Sequence, residues 1–297
     1  MLIGVNANTI GRDGYSKYWG ENSYKKAKEF GFDCIDFGLL GASEGTGFYN
    51  RFYKGDEKTR EEILLLAKKQ ADEAGVILHQ SHAPCIMRGT PMTEEETSTL
   101  LSDIQTAIRS CNIIGCKFLV VHPFMVNGWY DRGKPEAEDT FNKNVLYLQK
   151  LCDYAKDYDV TICFENMPAH DYSISTPEEV LNVIKKADRE NLKMCFDTGH
   201  VPAYSLELDV SEEIRRCGEY IKVLHVHDNH GRGDQHNFPG MGEIDWKDVM
   251  EALRDIGFDG VFSLELCYPD RFSEPLFEMA ARLASLMARE IVDGVYK

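Results

Sequence analysis

The sequence lacks the closely spaced cysteine pairs that are typical of redox motifs and zinc ribbons. Its nine cysteines are an odd number and are scattered, without a Cys-x-x-Cys. Cys34, Cys163 and Cys195 lie inside apolar, strand-like runs, where cysteine behaves as a small core residue. We therefore expect a reduced, intracellular protein.

Positive charge is also scarce. The chain has 33 basic and 49 acidic residues, which gives a formal net charge of -16. Such a chain gains no overall attraction to a phosphate backbone or an anionic membrane surface. Nucleic-acid binding is disfavoured, although a local basic patch would be compatible with this total, and a small polar ligand is the expected partner.

Long apolar runs are missing too. No run approaches about 18 residues, the length that a helical membrane span needs. The amino-terminal stretch Met1–Asn6 lacks a basic region followed by a long apolar one. We expect neither a secretion signal nor a membrane span, and we expect a cytoplasmic protein.

A glycine-rich fingerprint for phosphate binding is absent as well. The segment Leu39–Asp56 is rich in glycine and aromatic residues, but it contains no Gly-Lys-Ser/Thr and follows no strand at the right spacing. It is too long for a plain connection, and loops of that length are often functional. The sequence therefore predicts a functional loop here, without a nucleotide phosphate site.

The sequence does contain a regular alternation of strand and helix patterns. Eight short apolar runs are predicted as strands, at Leu2–Asn6, Cys34–Phe37, Val76–His79, Lys117–Val121, Val160–Phe164, Leu192–Phe196, Tyr220–Leu224 and Val261–Leu264. Helices are predicted at Glu21–Phe30, Thr59–Ala74, Glu94–Ile114, Glu136–Tyr158, Pro177–Ala187, Ser211–Cys217, Trp246–Ile256 and Pro275–Val292. Eight such units predict an α/β fold, a single (β/α)8 TIM barrel domain over residues 1–297. A doubly wound open sheet is the alternative, but it would usually carry a glycine-rich turn after the first strand, which is absent.

Side chains of the metal-ligand type recur where predicted strands three to eight end. They are His82, His122, Glu165, Asp197 with His200, His225 and Glu265. In a barrel these strand ends converge on one face, the face that carries active sites. Each residue alone could simply cap a strand or a turn, but the shared phase favours a metal site. Mixed histidine and carboxylate ligands suit Zn2+, Mn2+, Fe2+ or Co2+, and no cysteine is in phase with the set.

The seventh predicted strand delivers a second histidine, His227. Alternate side chains of a strand share a face, so His225 and His227 are expected to point the same way. Polar groups at the end of a buried strand are costly to place unless something binds them. A hydrogen-bonded cluster that caps the strand is the alternative interpretation, and His227 is a candidate for supporting the ligands from behind.

The glycine-rich loop after this strand adds three further candidates. Asp234 and His236 are candidate ligands of a metal or a substrate, with an exposed loop as the alternative. Arg232 is a candidate for binding an anionic or hydroxylated end of a substrate, or it is merely solvated.

Taken together, these motifs resemble the xylose isomerase-like barrel superfamily. The motifs are Ser-His82-Ala-Pro, His122-Pro, Phe-Glu165-Asn, Phe-Asp197-Thr-Gly-His200, His225-Val-His-Asp, Asp234-Gln-His236 with Pro-Gly-x-Gly-x-Ile-Asp-Trp246, and Leu-Glu265. The superfamily includes sugar and sugar-phosphate isomerases and epimerases, ketose 3-epimerases, inosose dehydratases and endonuclease IV. The resemblance extends from about Leu2 to Glu265, nearly the whole chain.

Similarity to the ketose epimerase branch implies one divalent metal, most often Mn2+, held by Glu165, Asp197, His225 and Glu265. It implies that the two glutamates are an acid/base pair on opposite faces of a sugar or sugar phosphate, and that His200 binds a substrate hydroxyl. A proton would be removed alpha to a carbonyl to give a cis-enediolate. The expected protein is thus a metal-dependent isomerase or epimerase of carbohydrate metabolism, and a homo-oligomer by analogy with its family.

Three alternatives stay open. Similarity to endonuclease IV implies a phosphodiesterase with up to three Zn2+ ions, in which His82, His122, His200, Asp234 and His236 are additional ligands. The net charge of -16 and the absence of basic clusters beside the ring argue against it. The others are a metal-dependent dehydratase or lyase acting on a sugar or cyclitol, and a non-catalytic sugar-binding barrel. The sequence does not identify the sugar, its phosphorylation or the reacting carbon.

Overall fold

A computed structural model describes residues 1–6, 21–39, 47–268 and 272–295 of the chain. Eight strands run through these residues: β1 (Leu2–Asn6), β2 (Cys34–Gly38), β3 (Ile77–His82), β4 (Phe118–Val121), β5 (Thr161–Glu165), β6 (Leu192–Asp197), β7 (Ile221–His225) and β8 (Val261–Leu264). Each strand from β1 to β6 pairs with the strand that follows it, and β1 also pairs with β8. All of these pairs are parallel.

A short bridge between the ends of β7 and β8 closes the sheet. Val226 pairs in parallel with Leu264. The Val226 N–H donates to the Ser263 carbonyl at 2.8 Å, and the Glu265 N–H donates to the Val226 carbonyl at 3.0 Å. These contacts confirm the predicted (β/α)8 TIM barrel.

Helices alternate with the strands close to their predicted bounds. They are α1 (Glu21–Glu29), α2 (Gly47–Phe52), α3 (Glu57–Ala74), α4 (Glu94–Ile114), α5 (Glu136–Ala155), α6 (Pro177–Ala187), α7 (His200–Tyr204), α8 (Val210–Cys217), α9 (Trp246–Asp255) and α10 (Glu274–Val292). Two 3-10 turns follow α5 and α8, at Lys156–Tyr158 and Gly218–Tyr220. None of the helices in this part of the chain is both long and apolar enough to cross a bilayer.

The segment predicted as a functional loop, Leu39–Asp56, contains the short helix α2, so that prediction is wrong over Gly47–Phe52. Tyr49 and Phe52 of this helix are buried in the main core. The Tyr49 hydroxyl donates to Asp103 of α4 at 2.7 Å. The burial of these two aromatic side chains accounts for the helix, whereas the local sequence pattern does not predict one. Residues 40–46 lie outside the described residues.

Local sequence fixes where several helices begin and end. At the start of α6, the Thr176 side chain and that of Glu179 cap each other's backbone N–H groups. The same reciprocal arrangement starts α4 at Thr93 and Glu96. Helix α4 ends at Gly115, whose φ of 76° favours glycine.

Alternation along the strands separates two layers of side chains. One set faces the helices and joins the main core: Ile162, Phe164, Met194, Phe196 and Leu224. A separate cluster, Val120, Cys163, Cys195 and Val223, fills the barrel interior. Two residues after each of these come His122, Glu165, Asp197 and His225. Side chains two residues apart in a strand share a face. These four residues therefore lie on the inner surface of the barrel, one layer nearer the carboxyl ends of the strands than the cluster does.

Candidate metal centre

Side chains at the carboxyl end of the barrel form three adjoining groups, and Cys195, one layer deeper, forms a fourth with Glu165 and His225. Within each group, ligand-type atoms lie within 4.8 Å of one another. The central group is Glu165, Asp197, His225 and Glu265; the second group is His82, His122 and Glu165; the third group is His200, His227, Asp234 and His236. The barrel thus brings the sequence-predicted histidines and carboxylates together, and Arg232, two residues before Asp234, is exposed.

The central group gathers three carboxylates around one imidazole. His225 Nδ1 lies 2.7 Å from Glu165 Oε1 and 3.3 Å from Glu265 Oε2. Glu165 Oε2 and Asp197 Oδ2 are buried and accept no hydrogen bond from the described residues, although the Nε2 atoms of two histidines lie within 3.4 Å of Glu165 Oε2. Buried carboxylate oxygens without donors are costly. This donor set therefore fits a divalent cation, which would satisfy those oxygens.

The second group shares Glu165 with the central group. His82 Nε2 and His122 Nε2 lie 2.9 Å apart. They are 3.4 Å and 3.0 Å from Glu165 Oε2. Three potential donor atoms thus converge from the ends of β3, β4 and β5.

The third group is linked to the central group through Asp197. His236 Nε2 lies 3.0 Å from Asp234 Oδ2, and His200 Nε2 lies 3.6 Å from the same atom. His227 Nε2 lies 3.8 Å from Asp234 Oδ1 and 3.0 Å from Asp197 Oδ1, but it makes no hydrogen bond. This fully buried nitrogen is a further potential donor to a metal.

Three of the histidines are oriented by backbone carbonyls. The Nδ1 atoms of His82, His200 and His236 face the carbonyls of Ala83, Asn166 and Glu265, at 2.9, 2.6 and 2.9 Å. A carbonyl only accepts, so each Nδ1 carries the hydrogen. In the neutral ring, Nε2 then keeps a lone pair directed at its group, which is the arrangement that metal-ligating histidines use.

The electrostatics of the three groups are those of a cation site. Among the described residues, every ion pair made by Glu165, Asp197, Asp234 and Glu265 is with a histidine. Burial opposes ionisation of Glu165, but the neighbouring His225 and His122 outweigh it and hold the pKa of this carboxyl well below its usual value.

The pKa values of His200 and His236, two histidines of the third group, are shifted upward. Burial lowers the pKa of His200, but Asp197 and Asp234 outweigh it and raise this pKa to about 9. Burial acts likewise on His236, and Asp234 and Glu265 raise its pKa to about 11. In the metal-free protein, the protons on these two rings offset part of the negative charge of the carboxylates. A divalent cation at the same place would offset more of it.

Two expectations about this site are wrong in detail. Cys195 is in phase after all, because it precedes Asp197 by two residues on the same face of β6, and its sulfur is within ligand distance of Glu165 and His225. His225 and His227 enter different groups. Strand β7 ends at His225, and Val226 turns to bridge β8, so the alternation does not continue to His227.

Asp228 belongs to the motif His225-Val-His-Asp, but the sequence analysis gave it no role of its own, and the structure shows it as a supporting residue. It is fully buried, and its Oδ2 accepts hydrogen bonds from the Gly240 N–H and from Trp246 Nε1, each at 2.8 Å. Its Oδ1 accepts from the N–H groups of Asn229 and Ile244. The carboxylate thereby fixes the loop that carries Asp234 and His236. A signal was present, since Asp228 directly follows His227 in an otherwise buried stretch.

Comparison with known proteins agrees with this geometry. The family model described as xylose isomerase-like TIM barrel matches residues 24–288. An uncharacterized protein of Methanocaldococcus jannaschii, MJ1311, is 29% identical over 82% of this chain and 78% of its own. Inosose isomerase of Bacillus licheniformis is 25% identical over 67% of this chain and 70% of its own.

A solved structure gives the same picture. The crystal structure of a D-tagatose 3-epimerase-like protein superposes with a TM-score of 0.73 and 25% sequence identity, over 99% of both chains.

Proposed function

The chain belongs to the xylose isomerase-like TIM barrel family, and from this premise we propose that it is a metal-dependent isomerase or epimerase of a sugar or sugar phosphate. The observation that carries the proposal is the meeting of Glu165, Asp197, His225 and Glu265 within ligand distance at the active face of the barrel. The similarity to an inosose isomerase and to a 3-epimerase-like protein supports the same class.

These four side chains would hold one divalent metal, with Mn2+ as the first candidate and Zn2+, Co2+ or Fe2+ as others. When bound, the metal would polarise the sugar carbonyl and its neighbouring hydroxyl, which makes the adjacent C–H more acidic.

The two glutamates would carry the proton transfers. Glu165 is buried, and His225 and His122 hold its pKa well below its usual value, so it is ionised. The Glu265 side chain is 17% exposed and faces the approach to the site. One carboxylate would remove the proton alpha to the carbonyl, which leaves an enediolate of the sugar. The other would return a proton to the far face of the same carbon, or to the neighbouring carbon.

The test is deuterium uptake from D2O across a panel of ketoses and ketose phosphates, with Mn2+-loaded protein. A converted substrate should gain deuterium at the carbon alpha to its carbonyl, and Glu165→Gln and Glu265→Gln should each slow conversion by at least about 100-fold. Glu243→Gln is the matched control, since this glutamate is exposed and belongs to none of the three groups. Conversion of a sugar without deuterium uptake would contradict the proposal.

A second candidate is a zinc phosphodiesterase of the endonuclease IV type. The observation that favours it is that all three groups are assembled, with Glu165 and Asp197 positioned between them. The net charge of -16 weighs against a nucleic-acid substrate. Elemental analysis separates the two candidates. About one metal per chain supports the sugar enzyme. Two or three zinc ions per chain support the phosphodiesterase, which an abasic-site DNA cleavage assay would then test.

A further inference from the structure

His225 is oriented differently from the other histidines of the site. His82, His200 and His236 each direct Nδ1 at a neutral backbone carbonyl and Nε2 at their group. His225 is reversed: its Nδ1 faces Glu165 Oε1, and its Nε2 lies 2.8 Å from Oδ2 of Asp36. The ring nitrogen that points away from the group, Nε2, thus faces a carboxylate, and this carboxylate lies one layer deeper in the barrel.

Asp36 is hydrogen-bonded to a neighbouring side chain in the barrel interior. It lies on β2 with 3% of its surface exposed. The fully buried Gln80 pairs with it across β2 and β3, and Gln80 Nε2 donates to Asp36 Oδ2 at 3.0 Å and to the Leu224 carbonyl at 3.2 Å. This second bond ties the Asp36–Gln80 pair to β7, the strand that delivers His225. The hydrogen bond from Gln80 keeps Oδ2 of Asp36 beside His225, whereas the buried Oδ1 accepts no hydrogen bond from the described residues.

An ionised carboxylate only accepts hydrogen bonds, so Asp36 requires a hydrogen on His225 Nε2. The Nδ1 atom is then the only ring nitrogen with a lone pair for a metal. It already lies 2.7 Å from Glu165 Oε1 and 3.3 Å from Glu265 Oε2, on the ligand side of the ring.

We infer that Asp36 is a positioning residue of the central group, which fixes His225 with Nε2–H toward the barrel interior and Nδ1 toward the metal. The inference rests on the proposed metal site and extends it one layer into the barrel. A carboxylate behind a ligating imidazole also increases the electron donation of the ring, and loss of such a partner typically weakens metal binding by about 10- to 100-fold.

The arrangement is selective among the three groups. Asp36 contacts His225, whereas three histidines of the second and third groups rest on carbonyls. A change at Asp36 should therefore weaken the central site and leave the third group unaffected.

The first experiment measures Mn2+ affinity of the full chain from the EPR signal of the free ion. Asp36→Asn keeps the shape of the side chain and removes its charge, and it should raise the Kd for Mn2+ by about 10- to 100-fold. Asp103→Asn is the matched control: Asp103 is also a buried aspartate that accepts a hydrogen bond, from Tyr49, but it lies on α4 and belongs to none of the groups. The control should bind Mn2+ as the parent protein does. Equal affinity of Asp36→Asn and the parent would overturn the inference.

The second experiment needs no variant of Asp36, and its result is read on the parent protein. Long-range 1H–15N spectra of the Zn2+-loaded parent protein report which nitrogen of each histidine is bound, and His225→Asn identifies the His225 signals by their loss. Zinc on Nδ1 with a hydrogen on Nε2 is expected, and zinc on Nε2 would refute the inference. Neither experiment depends on turnover. A protein that converts no sugar but passes both tests would refute the proposed reaction and leave the role of Asp36 intact.

Discussion

Replacing Gly199 by alanine should force His227 out of the third group. A Cβ atom at this position would lie 2.1 Å from both Cε1 and Nδ1 of the His227 ring. The backbone at Gly199 has φ −77° and ψ −23°, which suits alanine, so the cost comes from the contact alone. His227 is fully buried and its ring stacks on that of His236, with centroids 4.0 Å apart.

The size of the effect follows from this overlap. Ordinary carbon contacts begin near 3.5 Å, so the ring must move by about 1.4 Å. Overpacking of this kind costs about 1–3 kcal/mol of the free energy of unfolding, and sometimes more. Metal–ligand distances stay within about 0.2 Å of their usual values, so a ring displaced this far could not hold a metal together with the rest of the third group.

Urea unfolding of chelated protein tests the stability, in a cycle of Gly199→Ala, His227→Ala and the double variant. The alanine at position 199 should cost about 1–3 kcal/mol when His227 is present and close to nothing when His227 is alanine, since the space is then free. In the zinc phosphodiesterase alternative, where the third group holds a zinc ion, titration of the same four proteins should show Gly199→Ala and His227→Ala losing similar affinity at that group. An equal cost in both backgrounds would refute the reasoning, because the strain would then lie elsewhere.

Two further predictions concern stability. The pKa values of His200 and His236 in the fold, about 9 and about 11, exceed the value near 6.5 of an unfolded chain. Their contribution to the stability of the metal-free protein is therefore fully present below about pH 6.5 and is lost as the pH rises through 9 and beyond; urea midpoints of chelated protein between pH 6.5 and 9.5 should fall, and a rising midpoint would contradict this. Asp228→Asn places an amide N–H2 against two of the four buried donors, such as the Gly240 N–H and Trp246 Nε1, and should cost about 2–6 kcal/mol, measured by urea unfolding. A cost within 0.5 kcal/mol of zero, as for an ordinary surface substitution, would be inconsistent with this network.

Much of the site was accessible from the sequence because a strand has a period of two residues and the barrel repeats one unit. Once each apolar run was recognised as a strand, the residue after it had to lie at the active face, and this located Glu165, Asp197 and Glu265. The same rule failed for His227, since β7 ends at His225 and a bridge to β8 follows.

The supporting residues were less accessible. Asp36 is a single charge inside an apolar strand, and its partner Gln80 lies 44 residues further along the chain. In the sequence, Cys195 is indistinguishable from any other cysteine of an apolar strand. The closed barrel places it next to Glu165 and His225. The helix α2 owes its burial to Tyr49 and Phe52 in the main core, which local patterns do not report.

The order of the eight strand-helix units and the residues at each strand end follow from the sequence, because hydrophobic periodicity and chain polarity are local properties. The division of those strand ends into three groups, the nitrogen of each histidine that faces its group, and the contact of Asp36 with His225 follow from the three-dimensional fold. These features depend on the register and closure of the barrel. They bring together atoms far apart in the chain, to within a few ångströms, by packing that no local pattern encodes.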